Sequence, residues 1–239
     1  MSRRRPRISE CETPQDFVRA GILRPVQPVT ASGYTAYGTG RELRPSNGDP
    51  ASLLRIMYGL GSTAGTIAFR FVPQFAGNDN ATQRLFYAYV GAYDRVRFFK
   101  DMANKVNCAI TDGTDTVSSL TAAQSWASGT VHYVVGRWTW AATVDVNLDS
   151  TNATQGDASA VNAQTCDSIY VGHATVPAPT FIGPAIVSPT RKSDAWVTAI
   201  QASSGAAYQS VPRLVRDFLA VGDLFLPLVS HSTAYTRVA

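Results

Sequence analysis

Apolar and polar positions alternate with period two through the middle of the chain, most densely in residues 129–140, GTVHYVVGRWTW. In an extended segment His132, Val134, Gly136 and Trp138 share one face, and Val131, Tyr133, Val135 and Arg137 the other. Both faces are rich in β-branched and aromatic residues. The pattern therefore predicts a strand covered on two sides, in the middle of a layered β domain.

Shorter segments of the same kind lie on either side. Residues 53–58 form the first. Residues 65–73 turn Ile67, Phe69 and Phe71 inward against Ala68, Arg70 and Val72, and Pro73, with no N–H to give, ends the ladder. Residues 85–90, 95–100, 106–110 and 116–120 follow, separated by the turn-forming runs 76–80, 91–94, 101–104 and 112–113. Beyond the central strand come 143–148, a polar alanine-rich loop to 164, then 168–172 and 181–187. Many short strands with turn signals and no helix between them predict an all-β sandwich or barrel.

The period changes near Ser193, a good helix N-cap, after which Trp196, Ala199 and Ile200 form an apolar stripe. A second helix is capped by Ser210, carries Pro212 in its first turn and ends by Gly222. Its stripe is Val211, Leu214, Val215, Phe218 and Leu219, and residues 223–229 and 233–238 read as closing strands. Residues 1–30 carry arginines and prolines with little periodicity, apart from a short helix near 13–20. These shifts divide the chain into an extended basic arm and linker over 1–45, a sandwich over 46–202, and a helix-plus-strand extension over 203–239.

Composition narrows the function classes. Charged residues are 16% and hydrophobic ones 45%, enough to bury a core. Net charge is +4, and Arg3, Arg4, Arg5 and Arg7 supply four positive charges, which leaves the body near neutral and disfavours a nucleic-acid face. No apolar run is long enough to span a bilayer, and none follows the first arginines as in a secretory signal. Cys11, Cys108 and Cys166 lack zinc-ligand spacing, and Cys108 is expected as a buried thiol. Cys11 is expected as a free thiol, with pairing between subunits as the alternative.

The order of pieces over residues 50–202 resembles a laminin G-like, concanavalin A-like jelly roll. His132, Tyr133, Val134, Val135, Gly136 and Trp138 fall where that family has Trp-His-His-(Val/Ile)-Ala-Gly/Ala-Thr-Trp, with Val131 replacing the first aromatic. Residues 65–73 resemble its Gly-Thr-Ile-x-Phe-Trp-Phe-x-Pro strand. Residues 144–148 resemble its Leu-Tyr-Val-Asp-Gly hairpin, 169–172 its Ile-Gly strand, 181–183 its Phe-x-Gly, and 191–194 the start of a covering helix. The resemblance implies a concanavalin A-like β-sandwich (jelly roll) of the kind carried by bacteriophage virion structural proteins. Pro184, Ala185 and Val187 stand at the family's usual acidic positions, so a rim calcium site is not implied.

The residue chemistry points away from catalysis. The only glutamates, Glu10, Glu12 and Glu42, precede the body, and Asp94, Asp101, Asp112, Asp115 and Asp149 are scattered through turns, so the Glu-rich strand that brings a glycosidase's two carboxylates together is missing. His132 reads as a satisfied core histidine, and no cofactor or metal motif is present. The expectation is a non-enzymatic virion structural protein, made in the host cytoplasm. Its most specific form is a homotrimeric capsid decoration (cement) protein that contacts the major capsid protein or other virion proteins. The contacts would come from Arg3, Arg4, Arg5 and Arg7 of the arm and from Leu214 and Phe218 of the extension. The alternative is a lectin-like tail, neck or fibre component that binds surface glycans through Tyr87, Tyr89 and Tyr93.

Overall fold

The computed structural model describes residues 6–26, 34–37, 42–45, 54–75, 82–90, 93–171, 180–202, 211–227 and 234–239, and the structural statements below concern these. A 3₁₀ turn (Ile8–Glu10) and helix α1 (Pro14–Arg19) precede strands β1 (Leu23–Val26), β2 (Tyr34–Tyr37) and β3 (Glu42–Pro45). The main run is β4 (Leu54–Leu60), β5 (Ala64–Pro73), β6 (Gln83–Val90), β7 (Tyr93–Lys100), β8 (Val106–Thr111) and β9 (Thr116–Leu120). The densest segment of the pattern becomes β10 (His132–Thr139). It is followed by β11 (Thr143–Leu148), β12 (Thr151–Asn152), β13 (Gly156–Asp157), β14 (Cys166–Val171) and β15 (Thr180–Ser188). Helix α2 (Asp194–Ala202), a turn Val211–Arg213 running into a π-helix Leu214–Phe218, and strands β16 (Leu224–Leu226) and β17 (Ala234–Arg237) complete the order.

The strands make two antiparallel sheets, giving the jelly-roll-like β-sandwich that the sequence predicts. The larger sheet runs β1-β17-β16-β15-β5-β10-β11-β12, with β13 on β11 and the β2–β3 hairpin on β15. The smaller runs β4-β14-β6-β7-β8-β9. Ile67, Phe69, Phe71, Val134, Trp138 and Val146 of the larger sheet meet Ile56, Phe86, Val96, Phe98, Cys108 and Ile169 of the smaller in one buried cluster. Phe69 packs in a tilted arrangement at 4.7 Å on Phe86 and sits edge-on at 5.6 Å to Phe98. The β15 ladder slips between Ile182 and Ala185, so Pro184, which cannot donate, falls in the irregularity.

A second core lies on the opposite face of the larger sheet. Ala68, Tyr133, Val135 and Ile186 point away from the smaller sheet and are covered by Phe17, Ile22, Leu23, Val197, Ile200, Leu214, Val215 and Phe218. Here the structure corrects the reading of residues 1–45 as an extended arm. Thr13 caps α1, Phe17 is fully buried, and β1 pairs with β17 in the register Leu23↔Arg237. The physical reason is that an apolar sheet face needs a cover, and the arm and the C-terminal helices provide it together. Strands β16 and β17 likewise extend the larger sheet from β15.

Local details also shift. In α2 the buried positions are Val197, Ile200 and Gln201 while Ala199 is exposed, because the sheet meets the 197/200/201 side of the helix. The helix expected to end at Gly222 ends at Phe218, with Leu219 already extended and Gly222 at φ 90° in the turn before β16. Cys11 is 1% exposed, its thiol donating to the Arg7 carbonyl at 3.3 Å, so the folded protein offers it no pairing between subunits. Cys108 is buried, as expected.

Candidate functional site

Strand parity decides what the smaller sheet shows to the outside. In β6, Phe86 and Ala88 face the inner core, which turns Tyr87 and Tyr89 outward. In β14, Ile169 and Val171 face inward and Tyr170 outward. In β7, Val96 and Phe98 face inward and Arg97 outward. The β6–β7 ladder slips between Arg84 and Phe86, which sets Arg84 opposite Phe99 on this same outer face.

The register lines these side chains up. Tyr170, Tyr87, Arg97, Ala109 and Ser118 are successive Cα partners across β14, β6, β7, β8 and β9. Tyr89, opposite Ser168, leans diagonally onto Tyr170 with ring centroids 4.4 Å apart and onto Tyr87 at 6.0 Å. The Arg84 guanidinium carbon stands 5.7 Å from the Tyr87 ring centroid. Tyr87, only 2% exposed, is the floor of this cluster, and the half-buried Tyr89 and Tyr170 are its accessible walls. Aromatic faces of this kind take the apolar side of a sugar ring, and guanidinium donors take its oxygens.

Of the residues singled out from the sequence, Tyr87 and Tyr89 are brought together. Tyr93 opens β7 as the Cα partner of Val90, and its side chain lies outside the described residues. Tyr170, Arg84 and Arg97 were not singled out. The alternation Ile169, Tyr170, Val171 could have marked Tyr170 as outward, whereas Arg84 depends on a bulge that no pattern announces. Arg3, Arg4 and Arg5 lie outside the described residues, while Arg7 is exposed. Leu214 and Phe218 are 0% and 7% exposed, packed in the second core rather than offered to a partner, because the docked arm already covers them.

Two polar constellations serve the fold. His132 Nδ1 bonds Asp149 at 2.6 Å while Asp149 also accepts the Tyr133 amide at 2.8 Å, and the imidazole stacks on Phe71. The expectation of a satisfied core histidine holds only for Nδ1, since His132 is partly buried and its Nε2 is enclosed without a hydrogen-bond partner; the carboxylate ties the start of β10 to the end of β11. On the outer face of the larger sheet, Arg137 binds Asp145 through Nε at 3.0 Å and through Nη2. Its Nη1 reaches Asp194 at 2.6 Å and the Lys192 carbonyl at 2.9 Å. Arg191 adds an ion pair to Asp145 at 2.8 Å, outside good hydrogen-bond alignment. The Arg137 hydrogen bond holds the Asp194 carboxyl below its ordinary range, anchoring the first turn of α2.

An open groove of about 560 Å³ separates the β4 edge from β1 and β17, with Met57, Val221 and Val238 exposed along it. Among the described residues, no three His, Cys, Asp or Glu side chains are grouped to hold a metal. No described helix is long and apolar enough to cross a membrane.

No family model matches this chain, and no curated protein matches it. Solved structures do. The binding domain of Paraclostridial Mosquitocidal Protein 1 superposes with a TM-score of 0.62 at 10% identity, over 76% of this chain and 48% of that one. The botulinum neurotoxin serotype G binding domain gives 0.61 at 9% identity, over 76% and 47%. Trypanosoma rangeli sialidase gives 0.55 at 12% identity, over 78% and 33%. The chain thus spans half the length of these neighbours or less, and at such identities the likeness is one of fold alone, a β-sandwich.

Proposed function

We propose that this protein is a glycan-binding module that works without catalysis, its recognition surface being the outer face of the smaller sheet. The observation that carries the reading is the pair Tyr89 and Tyr170, half-buried on adjacent strands with centroids 4.4 Å apart, over the Tyr87 floor. Rigid, preorganised aromatic walls lose little entropy when a pyranose ring stacks on them. Neighbours of this fold that are themselves binding domains, and a sialidase, support the reading. A glycan array followed by calorimetry is the test. Saturable binding should weaken about tenfold in Tyr89→Ala and in Tyr170→Ala, the equivalent of ~1.4 kcal/mol each. Absence of binding across the array, or binding that ignores both substitutions, overturns it.

A second reading, a decoration protein on a virion surface, has one observation in its favour: Arg7 is exposed where the docked segment begins, next to Arg3, Arg4 and Arg5 in sequence. Leu214 and Phe218 no longer serve it, so attachment to capsid proteins, including by a trimer, rests on the arginines. The test is occupancy on particles after deletion of residues 1–7, which leaves Cys11 and α1 in place. Full occupancy without those residues removes this reading.

A further inference from the structure

We infer that a small carboxylic acid with a compact apolar body, of the size of benzoate or hexanoate, binds in the cavity beneath the N-terminal segment. Its apolar part lies among Ile8, Phe17, Ile22 and Val215, and its carboxylate on Arg216; this site is independent of the glycan-binding reading. The cavity holds about 170 Å³ and is lined from both ends of the chain. Ile8 comes from the 3₁₀ turn, Phe17 from α1, Ile22 from just before β1, Val215 and Arg216 from the π-helix, and Arg237 from β17. Phe17, Ile22 and Val215 are buried while Ile8 is 43% exposed, which puts Ile8 at the mouth. An apolar cavity of about 150 Å³ takes up benzene, so this one has room for a single ring or a short alkyl chain.

Two features set this cavity apart from a packing void. Its wall is the π-helix, a rare form that recurs at functional sites. The Leu219 amide closes the wide turn on the Leu214 carbonyl at 3.1 Å. Arg237 Nη1 donates to the Val215 carbonyl at 2.9 Å and to that of Leu219 at 2.5 Å, so the turn is braced against β17 and the cavity is preformed. The second feature is Arg216, which is exposed and donates through Nε to the Pro212 carbonyl at 3.2 Å. Among the described residues no carboxylate pairs with it, which leaves its two Nη groups for a ligand. The acids of the facing segment are engaged elsewhere: Glu10 accepts from the Arg7 amide at 2.9 Å, and Asp16 from the Thr13 hydroxyl at 2.7 Å and from Arg19 at 3.1 Å. On the π-helix itself, Asp217 faces Arg213 at 3.6 Å. A planar guanidinium matches a carboxylate, and the apolar lining favours an acid with a hydrophobic body over acetate. Such a ligand ties the segment from Ile8 to Ile22 onto Val215 and Arg237, so its binding is coupled to docking of the N-terminal segment.

The experiment titrates the full chain with hexanoate and benzoate at fixed ionic strength, against hexan-1-ol, benzyl alcohol and acetate, by calorimetry and ligand-observed NMR. Saturable one-site binding of the two acids is expected, with the alcohols roughly tenfold weaker and acetate weaker still. Arg216→Gln, at an exposed position, should bring the acids down to the level of the alcohols and leave the melting temperature unchanged. Val215→Phe, which fills the cavity, should abolish binding of acids and alcohols alike. Ile8→Glu, on the exposed rim, should expel the acids and serves where the phenylalanine variant fails to fold. At ten times its dissociation constant, hexanoate should slow thiol labelling of Cys11 about tenfold, because the bound segment opens less often. Absence of saturable binding by either acid overturns the inference. So does equal binding of acids and alcohols, acetate binding as tight as hexanoate, or acid binding undiminished in Arg216→Gln. Cys11 labelling indifferent to saturating hexanoate overturns the coupling to docking.

Discussion

Phe98 of the smaller sheet rests directly against the backbone of Gly136 in the larger one: a Cβ on Gly136 would lie 2.1 Å from the Phe98 ring and 2.9 Å from the Cys108 sulfur. The two layers meet here at a distance that only a residue without a side chain permits. Gly136→Ala should therefore destabilise the domain by about 1–3 kcal/mol or more, since an overpacked core must displace a fully buried ring. Denaturant unfolding measures this, and Phe98→Leu in the same chain should return part of the loss. A Gly136→Ala protein as stable as the parent would contradict the packing.

The Arg137–Asp145 pair lies 6% and 7% exposed under α2. Each removal takes away charge-assisted hydrogen bonds but leaves the other member one ionic partner, Asp194 for Arg137 and Arg191 for Asp145, so Arg137→Met or Asp145→Asn should each cost about 1–3 kcal/mol. The double variant should lose less than the two losses added, because the Arg137–Asp145 interaction is counted in both single losses. Strict additivity in thermal or chemical unfolding would mean that the two groups do not interact.

The docked N-terminal segment should behave as a cover. Phe17→Ala is expected to cost about 3–5 kcal/mol, as for other large buried aromatics. It should also let a thiol reagent reach Cys11 long before Cys108 or Cys166, by local opening of the segment. All three thiols are buried, so the parent protein should react slowly at every one. Fast labelling of Cys11 in the parent would refute the docking.

Stability should be flat near neutrality and fall on both sides. Amides of Asp115, Asn162 and Thr114 hold the Asp112 carboxyl below its ordinary range, and the Arg137 hydrogen bond does the same for Asp194. A depressed carboxyl stabilises the fold above its unfolded value of about 3.9, and that contribution fades as pH drops toward the folded value. Asp112→Asn should shrink this acid limb. Burial pushes the Cys166 thiol from 9.0 up to about 12 and raises Cys108 and Tyr58 as well. Raised groups favour the fold below their unfolded values and lose that contribution as pH climbs past about 9. Melting temperatures that are level through both limbs would rule out these shifts.

The strand pattern carried most of the sandwich because a half-buried strand writes its orientation into every second residue. β5 and β10 are legible residue by residue, but not their pairing, which sets Gly65 opposite Trp138, whose indole fills the space where a side chain at position 65 would stand. The cover of the second core was not legible, since Phe17 and Val18 are too few to signal burial and their partners Leu214 and Phe218 sit at the other end of the chain. The candidate site was half legible. Tyr87 and Tyr89 share one strand and stood out, but Tyr170 comes from a distant strand, and Arg84 joins the face only through a register slip. Adjacency across strands is a property of topology rather than of local pattern.

The pairing Leu23↔Arg237 also sets a timetable for the growing chain. Phe17 leaves the ribosome long before Leu214, Val215 and Tyr235, which enclose it. At about 5–20 residues per second, the early segment waits on the order of 10–40 seconds for its site to exist. Over that interval the outer face of the larger sheet stays uncovered, so the nascent protein is most prone to association just before synthesis of residues 211–237. The basic, proline-broken character of residues 1–28 favours a solvated state for the waiting segment until its cover is made.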